Sequence, residues 1–302
     1  LVNRLIDLGH EVIVLDRVHH HNPNPKATYY LVDLVENYNK YVHLFDSVNN
    51  VFHMAAEVAI KYCVEKPNES MANNMLSTMN VLECCRIHDV DRAIFSSTCA
   101  VYGNTLFNPS YETNRVDCLN TYSISKYSGE MLFKMYYELY GLKTVMFRYF
   151  NVYGEGQHQS GQYAPVMSIF KRQKDNKEPL TIVEPGYQTR DFVHVSDVVY
   201  ANILASQREL ETYGEVFNIG TGEGTEIQTI AECGKFTPKS DTVVTQILLE
   251  DSGDDADGDG IQDSEDSCPN GYGVSDGWSS TAASDQDNDG CHDLEEDFDD
   301  DN

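Results

Sequence analysis

Basic side chains are scarce in this 302-residue sequence: 21 Lys and Arg stand against 49 Asp and Glu, a formal net charge of -28 at pH 7. An acidic chain with no basic patch is a poor match for nucleic acid. Long apolar runs are also missing. None approaches the roughly 20 residues that cross a bilayer, so no membrane span is expected, and no signal-peptide pattern opens the chain. Tryptophan occurs once. The six cysteines before Phe236 have no metal-like spacing, and the neighbours Cys84 and Cys85 do not suit a simple bridge. Reduced thiols and a cytoplasmic setting are the expectation for that part.

The charge is unevenly placed. Beyond Phe236 lie 21 of the 49 acidic residues and a single basic one, Lys239. Residues 1–235 therefore read as a mildly acidic globular region, long enough for a sizeable core, and residues 236–302 as a separate acidic tail.

Within the first region strand and helix patterns alternate. Residues 1–8 read as the end of a helix stopped at Gly9, and residues 11–15, 51–54, 93–97 and 144–149 as short apolar strands. Helices are expected at 71–88 and 122–139. Alternation of this kind implies an α/β fold with a doubly wound parallel sheet. Ligands on such sheets sit at the carboxyl ends of the strands, where Asp16, Ala55, Thr98 and Asn151 fall.

Tyr122 and Lys126 are four residues apart, so a helix sets them on one face. An ammonium beside a phenol favours the phenolate and draws its pKa down from about 10, which suits general acid–base work. A helix with packed tyrosines and a snorkelling lysine explains the same pair. The order of features tips the balance: a strand ending in Ser96-Ser97-Thr98, then Tyr-x-x-x-Lys on a helix. Asp16 at a strand end is the residue type that accepts hydrogen bonds from the adenosine ribose, and its charge repels a 2'-phosphate, favouring NAD over NADP. A surface carboxylate is the plainer reading of Asp16. His53 reads as a packed core histidine.

These residues resemble the extended short-chain dehydrogenase/reductase family, and within it the nucleotide-sugar epimerases and dehydratases. The resemblance runs from Leu1 to about Ala231 and includes Val51-Phe52-His53-Met54-Ala55-Ala56, Asn74 with Thr78, Arg148-Tyr149-Phe150-Asn151, Arg190-Asp191-Phe192-Val193-His194-Val195 and Asn218-Ile219-Gly220-Thr221-Gly222. It implies a Rossmann-like NAD-binding domain at 1–150 and a nucleotide-sugar lobe at 151–235. By resemblance, Asp16, Asp33, Leu34, Ala55, Ala56, Asn74, Tyr122, Lys126, Tyr149 and Phe150 contact NAD. Thr98, Asn151, Thr181, Val183 and Arg190 contact the substrate, with Arg190 and Asp191 read alternatively as a structural ion pair.

The resemblance also implies a reaction: Tyr122 removes the sugar 4-hydroxyl proton, a hydride leaves carbon 4 for NAD, and it returns to the other face of the 4-keto sugar. Thr98 hydrogen-bonds the reacting oxygen. Dehydratases and decarboxylases of the family carry an extra acid after that hydroxyl. Here Cys99 and Ala100 stand there, which favours simple epimerisation, with UDP-glucose and UDP-galactose as the first expectation. A homodimer through helices 71–88 and 122–139 is implied as well.

The family's glycine-rich phosphate turn and first central strand are expected ahead of Leu1. The stretch Gly220-Thr221-Gly222-Glu223-Gly224 comes too late to be that turn. The expectation is that the chain as written binds NAD weakly or not at all.

In the tail, Asp255, Asp257, Asp259, Asp263 and Asp266 occupy positions 1, 3, 5, 9 and 12 of a loop with Gly260 at position 6. Asp285, Asp287, Asp289, Asp293 and Glu296 repeat the pattern around Gly290. This is the ligand spacing of calcium loops. The flanking Asp266-Ser267-Cys268-Pro269 resembles thrombospondin type 3 repeats, which implies an extracellular origin for the tail and a Cys268–Cys291 bridge. Two readings result: a nucleotide-sugar epimerase, or a calcium-binding surface module carrying an inactive epimerase remnant. The change of composition near Phe236 suggests a joined fragment.

Overall fold

The computed structural model describes residues 1–105, 108–157, 165–182 and 186–233, all within one compact unit, Leu1–Val244. The calcium-loop positions from Asp255 to Glu296, and Val183, lie outside the described residues. The strands are β1 Ile13–Asp16, β2 Thr28–Leu31, β3 Asn50–His53, β4 Arg92–Thr98, β5 Lys143–Tyr149, β6 Asn151–Tyr153, β7 Thr189–Arg190, β8 Phe192–His194, β9 Glu215–Ile219 and β10 Thr225–Glu226. The helices are α1 Val2–Asp7, α2 Ile60–Glu65, α3 Pro67–Ile87, α4 Thr121–Tyr140, α5 Val166–Asp175, α6 Val195–Gln207 and α7 Ile227–Cys233. Short 3-10 turns cover Tyr38–Lys40, Val42–Phe45 and Cys99–Tyr102.

The main sheet is parallel, in the order β3-β4-β5-β9. Strands β1 and β2 form a second parallel block of their own, and β6 with β8 a third. Strand β4 is buried at Arg92, Ala93, Ile94, Phe95 and Ser97, as a strand covered on both faces must be. Residues 216–219, expected in the substrate lobe, instead complete the main sheet as β9. Phe217 pairs with Phe147, and Ile219 with Tyr149. The backbone of β9 thereby pairs with the edge that β5 would otherwise leave open.

Helix α4 starts at a capping box, in which Asn120 accepts from the Ser123 amide and the Ser123 hydroxyl closes back on the Asn120 amide. It lies close against β4. A Cβ at Gly129 would stand 2.5 Å from the Phe95 ring, so only glycine permits this approach. Phe95 and Phe133 stack at 4.8 Å in the centre of the core, with Leu82, Cys84, Cys85 and Met146 around them. Cys63, Cys84, Cys85, Cys99 and Cys118 are free thiols. No described helix is long and apolar enough to cross a membrane. Among the described residues no group of three or more His, Cys, Asp or Glu is placed to hold a metal ion.

Candidate active site

Strand β4 ends at Thr98 in extended conformation, and the Thr98 hydroxyl caps the next turn by accepting from the Ala100 amide at 3.2 Å. The first turn of α4 brings Tyr122 to the same place, its phenol close enough to Thr98 for the Thr98 hydroxyl to influence its ionisation. Two further turns of α4 reach the two residues before Thr98. Lys126 Nζ donates to the Ser96 carbonyl at 2.7 Å, and the Ser97 hydroxyl donates to Glu130 Oε1. Sequence spacing thus placed Thr98, Tyr122 and Lys126 in one locale, and the fold brings them there.

The electrostatics differ from expectation. Lys126 was expected to draw the Tyr122 phenol down, but its buried ammonium turns to the strand, over the Phe95 ring at 4.8 Å. A buried ammonium needs an acceptor, and the Ser96 carbonyl is within reach. Tyr122 is pushed up to about 12 by its burial, while the hydrogen bond from Thr98 acts in the opposite direction. Burial also pulls Lys126 down to about 8. At neutral pH Tyr122 therefore stands as a protonated phenol beside the Thr98 hydroxyl, holding its proton more tightly than a free tyrosine. His53 is buried as expected, at 2.9 Å from Thr78 Oγ1 and stacked on Phe95 and Phe133. Burial first, and the Lys126 charge second, lower its pKa to about 3.

The expected cofactor contacts spread along the strand ends. Asp16 is exposed at the end of β1, with Oδ1 accepting from the Val18 amide at 3.1 Å. Asp33 is exposed and its Oδ1 accepts from the Val35 amide at 3.0 Å, whereas Leu34 is buried in the core. Ala55 and Ala56 follow β3 without bulk. Asn74 is buried; it accepts from the Glu57 amide at 2.7 Å and donates to Ser125 Oγ at 2.9 Å, so it ties the Ala55–Ala56 loop to α4.

On the substrate side Tyr149 OH accepts from Asn202 Nδ2 at 2.8 Å, and Phe150 lies beside Tyr102. Asn151 is fixed by two bonds to the Asp191 carbonyl, both 2.9 Å. Thr181 is held by Gln173, accepting at 2.8 Å. The exposed Arg190 guanidinium donates to the Thr189 carbonyl at 2.7 Å. The Asp191 carboxylate is bound elsewhere, accepting from the Thr221 amide, the Thr221 hydroxyl and the Gly222 amide at 2.7–2.9 Å. The Arg190–Asp191 alternative is thereby replaced by an Asp191 clamp on the 220–222 turn. A Cβ at Gly220 would meet Asp191 Oδ2 at 2.6 Å, which explains the glycine without any phosphate.

Residues 1–220 match the family model described as the NAD dependent epimerase/dehydratase family. The chain belongs to that family. A UDP-glucose 4-epimerase of Halalkalibacterium halodurans is 30% identical over 275 residues, covering 83% of this chain and 80% of the relative. The crystal structure of a Thermotoga maritima UDP-glucose 4-epimerase with UDP-glucose superimposes with TM-score 0.72 at 33% identity, covering 80% of this chain and 82% of that one. A Thermus thermophilus UDP-glucose 4-epimerase in complex with NAD gives 0.72 at 28% identity, with 82% and 88% covered.

Within this epimerase/dehydratase fold, sequence reasoning overlooked two groups. Glu130 reads on the helix as an ordinary solvated carboxylate, yet it is buried and paired with Arg148, whose Nε and Nη2 lie 3.0 and 2.7 Å from its oxygens. Burial alone would lower the Arg148 pKa, but Glu130 outweighs it and holds the guanidinium charged. The available signal was spacing: Glu130 continues the four-residue step from Tyr122 through Lys126. Asp191 enters the sequence reading only in the family motif and as a possible ion partner of Arg190, and its clamp depends on a partner 30 residues away.

Proposed function

We propose that this site carries out NAD-dependent epimerisation of a UDP-sugar at carbon 4, with UDP-glucose and UDP-galactose as the pair. The observation that supports it best is the Thr98–Tyr122 hydroxyl pair at the carboxyl edge of a parallel sheet, in a chain of this family. The residues present suit NAD at its ribose and nicotinamide ends: a free carboxylate oxygen on Asp16, small Ala55 and Ala56, and a buried cation at Lys126. When bound, NAD takes up and returns a hydride. Tyr122 moves the proton of the sugar 4-oxygen, and Thr98 hydrogen-bonds that oxygen. Its protonated state favours the return step, in which the 4-keto oxygen must be protonated. Cys99, which follows Thr98, is pushed up to about 11 by burial, so it offers neither an acid nor a base of carboxylate strength. That favours epimerisation over elimination. Asn151, Thr181, Val183 and Arg190 are the proposed nucleotide-sugar contacts.

The test is conversion of UDP-galactose to UDP-glucose, followed by NMR with saturating NAD. Tyr122→Phe is expected to lower turnover by roughly 10²–10⁴-fold, the usual size of a general acid–base contribution. Undiminished turnover in that variant would remove Tyr122 from the mechanism. NAD bound at full occupancy with no conversion would remove the substrate assignment.

We also propose a homodimer through α3 and α4, supported by exposed Leu76, Met79, Ile87, Met131 and Leu139. A single sedimenting species of monomer mass would end that reading. For the tail the spacing of the two acidic loops supports calcium binding. Asp257→Ala with Asp287→Ala should abolish it in a calcium titration, and an unchanged titration would sink the assignment.

A further inference from the structure

We propose that Glu130 is a positioning residue for the Thr98–Tyr122 pair, acting through Ser97 and Arg148. The inference rests on the reading of that pair as the proton-transfer site. Ser97, Arg148 and Asn218 are register partners across β4, β5 and β9, one residue below the row Thr98, Tyr149 and Ile219. Glu130 is only 2% exposed, and both its oxygens are engaged, Oε1 by Ser97 and Arg148 Nε, Oε2 by Arg148 Nη2. The remaining arm of Arg148 donates to Tyr102 OH at 3.0 Å, and Tyr102 OH donates to Asn218 at 2.7 Å. Tyr102 ends the turn that Thr98 caps. Thr98 is thus fixed from both sides, the preceding residue by Glu130 and the following turn through Arg148.

The carboxylate also belongs to the helix that carries Tyr122. Tyr122, Lys126 and Glu130 stand at four-residue steps on α4 and engage Thr98, Ser96 and Ser97 in turn. A buried ion pair serving stability alone is often replaceable by well-packed apolar groups. This one joins the strand bearing one hydroxyl to the helix bearing the other, where small displacements change hydrogen bonding most.

The test uses the full chain labelled with 3,5-difluorotyrosine, whose phenols titrate well below the ordinary tyrosine value, read by fluorine NMR. Tyr122→Phe identifies the Tyr122 signal. Ser97→Ala and Glu130→Gln are expected to raise its titration midpoint by about one unit, a tenfold change, because the Thr98 hydrogen bond that favours the phenolate loosens. The double variant should shift no further than Glu130→Gln alone, since both act along one route. A midpoint unchanged in natively folded Ser97→Ala overturns the proposal, as does full additivity. If Glu130→Gln fails to fold, Ser97→Ala, which keeps the ion pair, decides the question by itself. The readout needs neither NAD nor sugar, so failure of epimerisation and failure of this positioning are separately visible.

Discussion

Two of the parallel blocks of this protein, β3-β4-β5-β9 and β1-β2, are built to different standards. In β3-β4-β5-β9 Thr98 and Tyr122 lie next to the buried, mutually paired Ser97, Glu130 and Arg148, and helix α4 is pressed onto the strand beneath them. In β1-β2 the burial is shallow: no residue of either strand is buried, and Asp16 at the end of β1 is exposed. The block proposed for proton transfer is therefore held by its own buried side chains, while the block proposed for the adenosine end offers one carboxylate on a thin, two-stranded support. Preorganisation here is local to the chemistry.

The strongest way to break that contrast is to remove the charge beneath the site. Arg148→Met leaves Glu130 buried and unpaired and should cost about 3–5 kcal/mol, measured by denaturant unfolding. A loss below about 1 kcal/mol would mean the block is not held by this pair. Changing both residues together, Glu130→Leu with Arg148→Met, should recover most of that loss.

Asp16→Ala probes the other block. Stability should stay within about 0.5 kcal/mol of the parent, as at other exposed positions. Affinity for NAD should fall roughly tenfold to a hundredfold, the scale of hydrogen bonds to a charged group. Calorimetry on the parent sharpens the same point: the separate β1-β2 block leads to an expectation of weak NAD binding, and a tight stoichiometric complex would contradict it.

The smallest effect is a pH slope. His53 holds its ring neutral in the fold, with a pKa near 3 against an ordinary 6.5. Its stability contribution is complete above about 6.5 and is lost as pH falls toward 3, because the unfolded chain takes up the proton first. The difference in unfolding free energy between the parent and His53→Phe should therefore narrow across that window. A difference that stays constant with pH would place His53 in a more open setting.

Much of this was legible from sequence because the core strands are continuous apolar runs. Residues 93–97 and 144–149 were read within two residues of β4 and β5, and the Tyr122 helix within one. Helix α3 starts at Pro67, four residues before the expected 71, because proline is at home in a first helical turn. Strand β2 went unread; its Thr-Tyr-Tyr-Leu is short and mostly exposed, with no alternation to follow. The membership of β9 was hidden because β5–β9 pairing joins residues about 70 positions apart. Lys126 was misjudged for a related reason. Spacing gives the helix face, but the ammonium is long enough to choose between phenol and carbonyl, and only the packed strand shows which acceptor is closer. Glu130 was missed because burial cannot be read from a charge whose partner lies on another element.

Gly129 has no chemistry of its own, yet it governs the tolerance of everything above it. A methyl group there would collide with Phe95 and lift the helix from the strand, parting Tyr122 from Thr98, Lys126 from Ser96 and Glu130 from Ser97 in a single movement. The spacing of this site is set by the smallest side chain in the helix, and errors in its packing would be felt first between Tyr122 and Thr98.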